Sequence, residues 1–336
     1  AIALLANLDF RTAVGMFWFY LLFDLPRYTL STLAVGWQAL FRTEYPLPPE
    51  NLPISVLMVG HNEGGKLRRA AAGLREQTHG DIEIVVVDDG STDATNIVGQ
   101  RLLADGWIDR FVAPELRGGK SSALNLGLQH CSHEYVVVMD IDTSLDRDAV
   151  GQVVAPLLSD PRVGAVAGAI GVRNPGDSLM SQLQALEYTK TVALGRQFAA
   201  MFDILTIVSG AFGAFRKSAI DAVGGWDVGP GEDSDLTQKL RQAGWRIEFN
   251  PDAWALTDVP TTAQKFTKQR LRWNHSVVRE RLRKFRLVFD PFNPAFRIRE
   301  FFASMNVLLF HLVLNFAFAF YIVMLFLYYG NFAFTV

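Results

Sequence analysis

Short apolar runs rich in Val and Ile recur through the middle of the chain, each followed by a polar turn and a helix-length amphipathic segment. ISVLMV, from Ile54, reads as a buried strand, GHNEGG as a turn and KLRRAAAGLREQ as a helix. IEIVVV repeats the strand signal and leads into DDGSTDATNIVGQRLLAD; YVVVMD gives a third strand, DAVGQVVAPLL a helix and VGAVAGAI a further strand. Continuous apolar strands alternating with helices are what a sheet covered on both faces requires. The pattern predicts an α/β domain with a mostly parallel sheet and flanking helices, with its chemistry beyond the carboxyl ends of the strands. The turn-rich YPLPPENLP, Tyr45 to Pro53, marks its start.

The two ends follow a different pattern. From Val307 to Tyr329 there is no Asp, Glu, Lys or Arg, and about 20 such residues suffice to cross a hydrocarbon layer. The N-terminal AIALLANLDFRTAVGMFWFYLLF reads as another span, and LPRYTLSTLAVGWQALFR, broken at Pro26, fits either an interfacial helix or a second short span. Basic residues crowd the stretch from Lys265 to Arg299, which by the positive-inside rule puts the preceding domain on the cytoplasmic side. The expectation is a multi-pass protein of a bacterial-type inner membrane, with lipid among its partners and transmembrane and interfacial helices framing the domain. Residues 1–45 are N-terminal transmembrane or interfacial helices, 50–260 the α/β domain, 261–304 a basic element with interfacial helices, and 305–330 a transmembrane helix.

Composition sharpens this picture. Half of the 336 residues are apolar, 25 of them Phe, and the net charge is −2, so nothing electrostatic points to nucleic acid as a partner. Cys131, the single cysteine, has no partner for a disulfide or for a zinc pair and reads as a small buried hydrophobe. Neither a Gly-x-Gly-x-x-Gly after the first strand nor a Walker sequence is present.

The carboxylates gather at strand ends. Asp88, Asp89 and Asp93 follow IEIVVV; Ser91 or Asp93 can cap the next helix, yet consecutive acids there can also read ribose hydroxyls or a base edge. Asp140 and Asp142 end YVVVMD as DID, either solvated acids or a pair able to reach a divalent cation and an adjoining sugar hydroxyl. Glu232 and Asp233 precede an amphipathic helix, as caps or as acceptors of a proton from an attacking hydroxyl. In QRLRW, helical spacing sets Gln269 beside Arg272 and Trp273. Arg can grip a departing diphosphate and Trp can face a sugar ring, against the alternative of a basic skirt beside a membrane helix.

Taken in order, DDGSTD, GGKSSALNLGL, DID, GED and QRLRW, followed by an apolar C-terminus, resemble the inverting family 2 glycosyltransferases of the membrane-integrated, processive kind, which include synthases of cellulose, hyaluronan and poly-N-acetylglucosamine. The resemblance covers roughly residues 50 to 330 and implies a GT-A type domain. It implies that Asp88, Asp89, Lys120, Asp140 and Arg272 bind the donor, that Asp142 holds Mg²⁺ or Mn²⁺, and that Asp233, with Glu232, is the catalytic base. It further implies that Gln269, Trp273, Ser209 and Gly210 border the acceptor. The family's usual TED has Gly231 in place of its threonine. The implied reaction is metal-dependent, inverting transfer of a hexose from a UDP-sugar to a growing β-linked polysaccharide, a glucan being favoured, coupled to translocation with a membrane or periplasmic export subunit as a possible partner. The competing readings are a nonprocessive lipid- or oligosaccharide-directed transferase and a glycan-assembly or transport subunit without catalysis.

Overall fold

A computed structural model describes residues 10–42, 44–294 and 296–334, the side chains of His311 and 328–334 excepted. They divide into two compact units, residues 44–303 and a second made of 10–42 with 304–334.

In the larger unit each predicted strand is present. Strands β1 (Ile54–Gly60), β2 (Ile82–Asp88), β3 (Arg110–Val112), β4 (Tyr135–Asp140), β5 (Ser144–Leu145), β6 (Val163–Val172), β7 (Phe212–Arg216) and β8 (Arg246–Thr257) form one sheet in the order β3-β2-β1-β4-β7-β6-β8-β5. Strand β1 pairs in parallel with β2 and β4, and β2 with β3. Alternate residues of the central strands feed opposite cores: Val56 and Met58 enter one apolar cluster, Leu57 and Val59 the other. That two-sided burial is why these runs are apolar without alternation.

The sheet is less parallel than the pattern implied. Strand β7 runs antiparallel to both β4 and β6, and β5 runs antiparallel to β8, while β6 and β8 are parallel. The reversal brings the entry to β7 beside the exit from β4, with Met139 opposite Phe212. Because β2 and β3 extend from one side of β1 and β4 lies on the other, the carboxyl ends of β1 and β4 flank the point where strand order reverses. Open α/β sheets place ligands at such a point.

The helices that matter for the site are α3 (Gly64–Arg75), α4 (Thr95–Ala104), α5 (Lys120–His130), α6 (Ala149–Ser159), α7 (Leu179–Glu187), α8 (Gly195–Met201), α9 (Lys217–Ala222), α10 (Glu232–Gln242) and α11 (Ala263–Arg279), taking α1 and α2 as Phe10–Phe19 and Leu25–Phe41 of the other unit. A π-helical turn, Tyr188–Leu194, joins α7 to α8, and another, Glu280–Lys284, ends α11.

The expectation of a membrane-integrated chain with transmembrane and interfacial helices is corrected: among the described residues no helix is long and apolar enough to cross a membrane. At the N-terminus, residues 1–9 lie outside the described residues, and a π-turn at Tyr20–Asp24 separates α1 from α2, with Asp24 and Arg27 around the break. At the other end, a π-turn at Leu309–Val313 separates Ile298–Leu308 from the final helix, Leu314–Phe334. The basic stretch, expected at a lipid surface, is instead spent within the larger unit. Arg270 forks onto Glu187 at 2.7 and 2.7 Å, Lys284 lies 2.5 Å from Asp235, and Arg281, 1% exposed, bonds Gln238. The multi-pass inner-membrane localisation drawn from these segments does not hold. Within the smaller unit, Phe19, Leu314 and Tyr321 form an apolar cluster, and Arg27 stacks 3.6 Å over Phe310.

Candidate active site

Asp88 and Asp89 end β2 and are 1% and 4% exposed. Asp88 Oδ1 accepts the Ser91 N–H at 3.0 Å, and the Ser91 hydroxyl donates to the same oxygen. Asp89 accepts the backbone N–H of Gly118 at 2.8 Å and of Gly119 at 3.0 Å. It thereby fixes the glycine-rich loop whose next residue is Lys120. Asp93 accepts the Thr95 N–H at 2.9 Å, one residue before the Ala94 that caps α4. His61 sets its Nδ1 3.0 Å from the Asp89 carbonyl oxygen, a local turn contact.

Lys120 opens α5 and joins two sequence-distant acids. Its Nζ lies 2.7 Å from Asp140 Oδ1 and 3.3 Å from Glu232 Oε1. Burial opposes its charge, but Asp140 and Glu232 outweigh that and hold the ammonium above its ordinary range. Gly210 closes the same spot: a Cβ there would stand 2.8 Å from Lys120 Nζ. The Gly210 N–H points to Asp233 Oδ2 at 3.5 Å. Ser209 stays in its own turn, with its Oγ accepting the Ala211 N–H at 3.3 Å. Thus Lys120, Asp140, Glu232, Asp233 and Gly210 form one cluster. Burial raises the Asp233 carboxyl, the Glu232 charge adds to this, and Lys120 counteracts it.

Asp142 lies one turn beyond Asp140. Burial and then the Asp140 charge raise its carboxyl, while Lys66, 3.8 Å away, works against them. Two like charges side by side favour a cation between or beside them. Among the described residues no group of three or more His, Cys, Asp or Glu could hold a metal alone. Mg²⁺ and Mn²⁺ commonly take one or two carboxylates and complete their shell with substrate phosphates and water; here Asp140 faces Lys120 and Asp142 faces Lys66. The donor set of Asp140 and Asp142 fits a metal brought with a nucleoside diphosphate.

QRLRW lies on α11. Trp273 is 36% exposed with the Arg270 guanidinium 4.4 Å over its ring. Gln269 Oε1 is buried without a partner, and Arg272 is exposed and makes no ion pair among the described residues. None of the three touches the acids directly. One turn further on, the helix packs on the GED loop: Arg279 donates to the carbonyls of Val228 and Pro230 at 3.1 and 3.1 Å, and Ser234 Oγ donates to Glu280 Oε2 at 2.6 Å.

This packing explains Gly231. Its φ is +81°, and a Cβ there would stand 2.5 Å from the Ser276 Cβ and closer still to Glu280 Oε1. The Glu280 carboxyl occupies the space a threonine would need. Glu280 is one of the residues the sequence reading missed, along with Arg196, whose Nη1 is likewise buried without a partner. No short motif marks either.

A family model described as Glycosyl transferase family 2 matches residues 55–224. The poly-beta-1,6-N-acetyl-D-glucosamine synthase of Staphylococcus epidermidis is 31% identical over 221 residues, covering 66% of this chain and 53% of the relative. The protein of the same description from Staphylococcus aureus (strain MSSA476) matches to the same extent. The chain thus spans about half the length of the curated relatives it matches. Among solved structures, mannosyltransferase PcManGT from Pyrobaculum calidifontis, in complex with GDP-Man and Mn²⁺, superposes with a TM-score of 0.66 at 23% identity, covering 88% of this chain and 82% of that one. The likeness concerns the fold, which is GT-A-like, with a sheet flanked by helices.

Proposed function

Since the chain belongs to glycosyl transferase family 2, we propose that it moves a hexosyl unit from a UDP-sugar to the terminal hydroxyl of a β-linked glycan, with inversion at the anomeric carbon. What supports the reading above all is the meeting of Lys120 with Asp140 at 2.7 Å and with Glu232 at 3.3 Å. It joins the strand end suited to a nucleotide diphosphate to the helix start that carries Asp233. In this reading 50–260 is the transferase domain, and the QRLRW element within 261–304 completes its cleft.

Asp233 takes the proton of the acceptor hydroxyl, whose oxygen forms a bond to the anomeric carbon as the bond from that carbon to the phosphate oxygen breaks. UDP leaves with the electron pair. A carboxylate with a raised pKa serves as a base near neutral pH better than an ordinary aspartate, because proton transfer to it is less uphill. Lys120 holds the donor phosphates and keeps its charge throughout, while Asp89 keeps the Gly118–Gly119 loop in place behind it. Asp140 and Asp142 would hold Mg²⁺ or Mn²⁺, which when bound offsets the charge of the leaving diphosphate. Gln269, Arg272 and Trp273 border the junction of donor and acceptor, and Ser209 with Gly210 forms its wall.

The relatives are named for a polymer of N-acetylglucosamine, which favours that sugar over glucose; the sequence motifs do not discriminate between the two. The test is incubation with a panel of labelled UDP-sugars and Mg²⁺ or Mn²⁺, followed by linkage-specific digestion of the product. Incorporation from UDP-N-acetylglucosamine into β-linked material is expected. No transfer from any UDP-sugar, with an acceptor supplied, overturns the reading.

A further inference from the structure

The helix that carries Asp233 starts without a cap of its own. The residue before α10 is Gly231, at φ +81°, and no side chain caps the helix. A Ser, Thr, Asp or Asn at that position would lend an oxygen to the free N–H groups of the first turn. Glycine lends none and leaves its own backbone the most freedom. The turn that bears Asp233 is therefore held from elsewhere in the chain.

The hold comes from the end of α11 and the π-turn after it. Ser276 and Glu280 share a helical face, and both abut Gly231, where an added Cβ would meet the Ser276 Cβ at 2.5 Å and Glu280 Oε1 closer still. The Ser234 hydroxyl donates to Glu280 Oε2 at 2.6 Å and stands 3.2 Å from the Gly231 carbonyl oxygen. The Ser234 backbone N–H in turn donates to Asp233 Oδ1 at 2.8 Å. A chain of contacts thus runs from the buried Glu280 through Ser234 to the Asp233 carboxylate. The other bond to that carboxylate, from the Gly210 N–H, is long at 3.5 Å.

Docking of the two segments does not depend on this chain. Arg279 donates to the carbonyls of Val228 and Pro230 at 3.1 and 3.1 Å, and Lys284 lies 2.5 Å from Asp235. Several bonds therefore keep the helix in place, while the aim of Asp233 passes through Ser234.

We propose that Glu280 is a positioning residue for Asp233, fixing through Ser234 the turn of α10 that directs the carboxylate at the acceptor hydroxyl. This rests on the reading of Asp233 as the base. It gives the segment after QRLRW a part in the reaction, through a residue in none of the motifs.

The test uses the full chain with Glu280→Ala, Ser234→Ala, the two combined, and Glu280→Gln, whose amide oxygen can still accept the Ser234 hydroxyl. Transfer from UDP-N-acetylglucosamine to a soluble β-1,6-linked N-acetylglucosamine oligomer is followed with Mn²⁺. UDP binding is measured by calorimetry, and amide hydrogen exchange is read over the segment 231–237. Each alanine variant is expected to lose about 10-fold or more in kcat, with the donor KM and UDP affinity within about twofold. The combined variant should lose no more than the worse single one, because both break the same chain. Both alanine variants should exchange about 10-fold faster in that segment, whereas Glu280→Gln keeps the wild-type rate and a kcat within about threefold.

Unchanged kcat in both alanine variants overturns the proposal, as do a parallel loss of UDP affinity and losses that multiply in the combined variant. A Glu280→Gln enzyme as slow as Glu280→Ala overturns it too. Exchange is read whether or not sugar is transferred, and alanine variants that exchange at the wild-type rate also overturn it. A wild type that transfers from no UDP-sugar overturns the transferase reading instead; faster exchange in the alanine variants then still assigns Glu280 to holding the turn.

Discussion

Replacing Glu280 by Gln should stabilise the protein at neutral and alkaline pH while changing little in mild acid. Glu280 is 1% exposed, its Oε1 has no partner, and its Oε2 accepts the Ser234 hydroxyl at 2.6 Å. Burial, opposed by Ser234 and Arg281, lifts its carboxyl from 4.5 to about 7. An acid whose pKa rises on folding binds its proton more tightly in the native state than in the unfolded chain. Its contribution is therefore present below the unfolded value and is lost as pH climbs from there through the folded one. The span from 4.5 to about 7 corresponds to about 3 kcal/mol. Gln has the same shape and no titrating proton, so the stability difference between variant and wild type should grow by about that amount between roughly pH 4.5 and pH 8. Other titrating groups are common to both proteins and cancel. Urea denaturation of each at the two pH values measures it directly. A difference that stays constant within about 0.5 kcal/mol would falsify the claim that this carboxyl is buried and protonated.

Asp233→Asn should cut kcat about 10²- to 10⁴-fold with UDP affinity unchanged, as read by product formation and calorimetry; full polymer synthesis would remove Asp233 from its role as base. Because Asp233 acts when ionised and its carboxyl is raised by burial and Glu232, kcat/KM should fall as pH drops through a value above the ordinary aspartate range. Glu232→Gln should move that limb to lower pH, and a limb that stays put refutes the coupling. Asp142→Asn should weaken Mn²⁺ binding in the presence of UDP about 10-fold or more, followed by calorimetric titration of the metal, while equal affinity places the ion elsewhere. Gly231→Thr should destabilise by at least about 1–2 kcal/mol from its left-handed backbone alone. Glu280→Ala in the same chain should restore part of the loss, whereas strictly additive effects in a double-mutant cycle would show that the two positions do not compete for space.

The strands β1, β2, β4 and β6 were legible because each is buried on both faces and so is written as an unbroken apolar run. The strand ends carried their acids in plain view, and DDGSTD, DID and GED do lie at one mouth of the sheet. Strand β7 was not legible: Phe212–Arg216 is five residues, interrupted by Gly213, and only its pairing with β4 and β6 makes it a strand. The apolar ends misled for a related reason. A window of hydropathy sees composition, whereas the breaks at the π-turns are backbone events with no hydropathy signal. The basic run misled because charge is local in sequence and its partners are not: Glu187 lies 83 residues before Arg270, and Asp235 lies 49 before Lys284. Glu280 and Arg196 escaped because a buried unpaired atom is defined by what surrounds it, and a single sequence does not record surroundings.

The reversed direction of β7 carries a consequence for how such an enzyme can diversify. With Phe212 registered against Met139, the connection from α8 into β7 is anchored at its far end by the central ladder and along its length by Arg241, which donates to the carbonyls of Asp203 and Leu205, and by Thr237, whose hydroxyl accepts the Val208 N–H. Insertions there would break those bonds, whereas exchange of the half-buried Ile204, Thr206 and Ile207 would change that stretch without disturbing the loop that Asp89 pins. In a transferase of the proposed kind, the stretch beside Gly210 and the stretch beside Asp89 can therefore change separately, by substitution rather than by insertion.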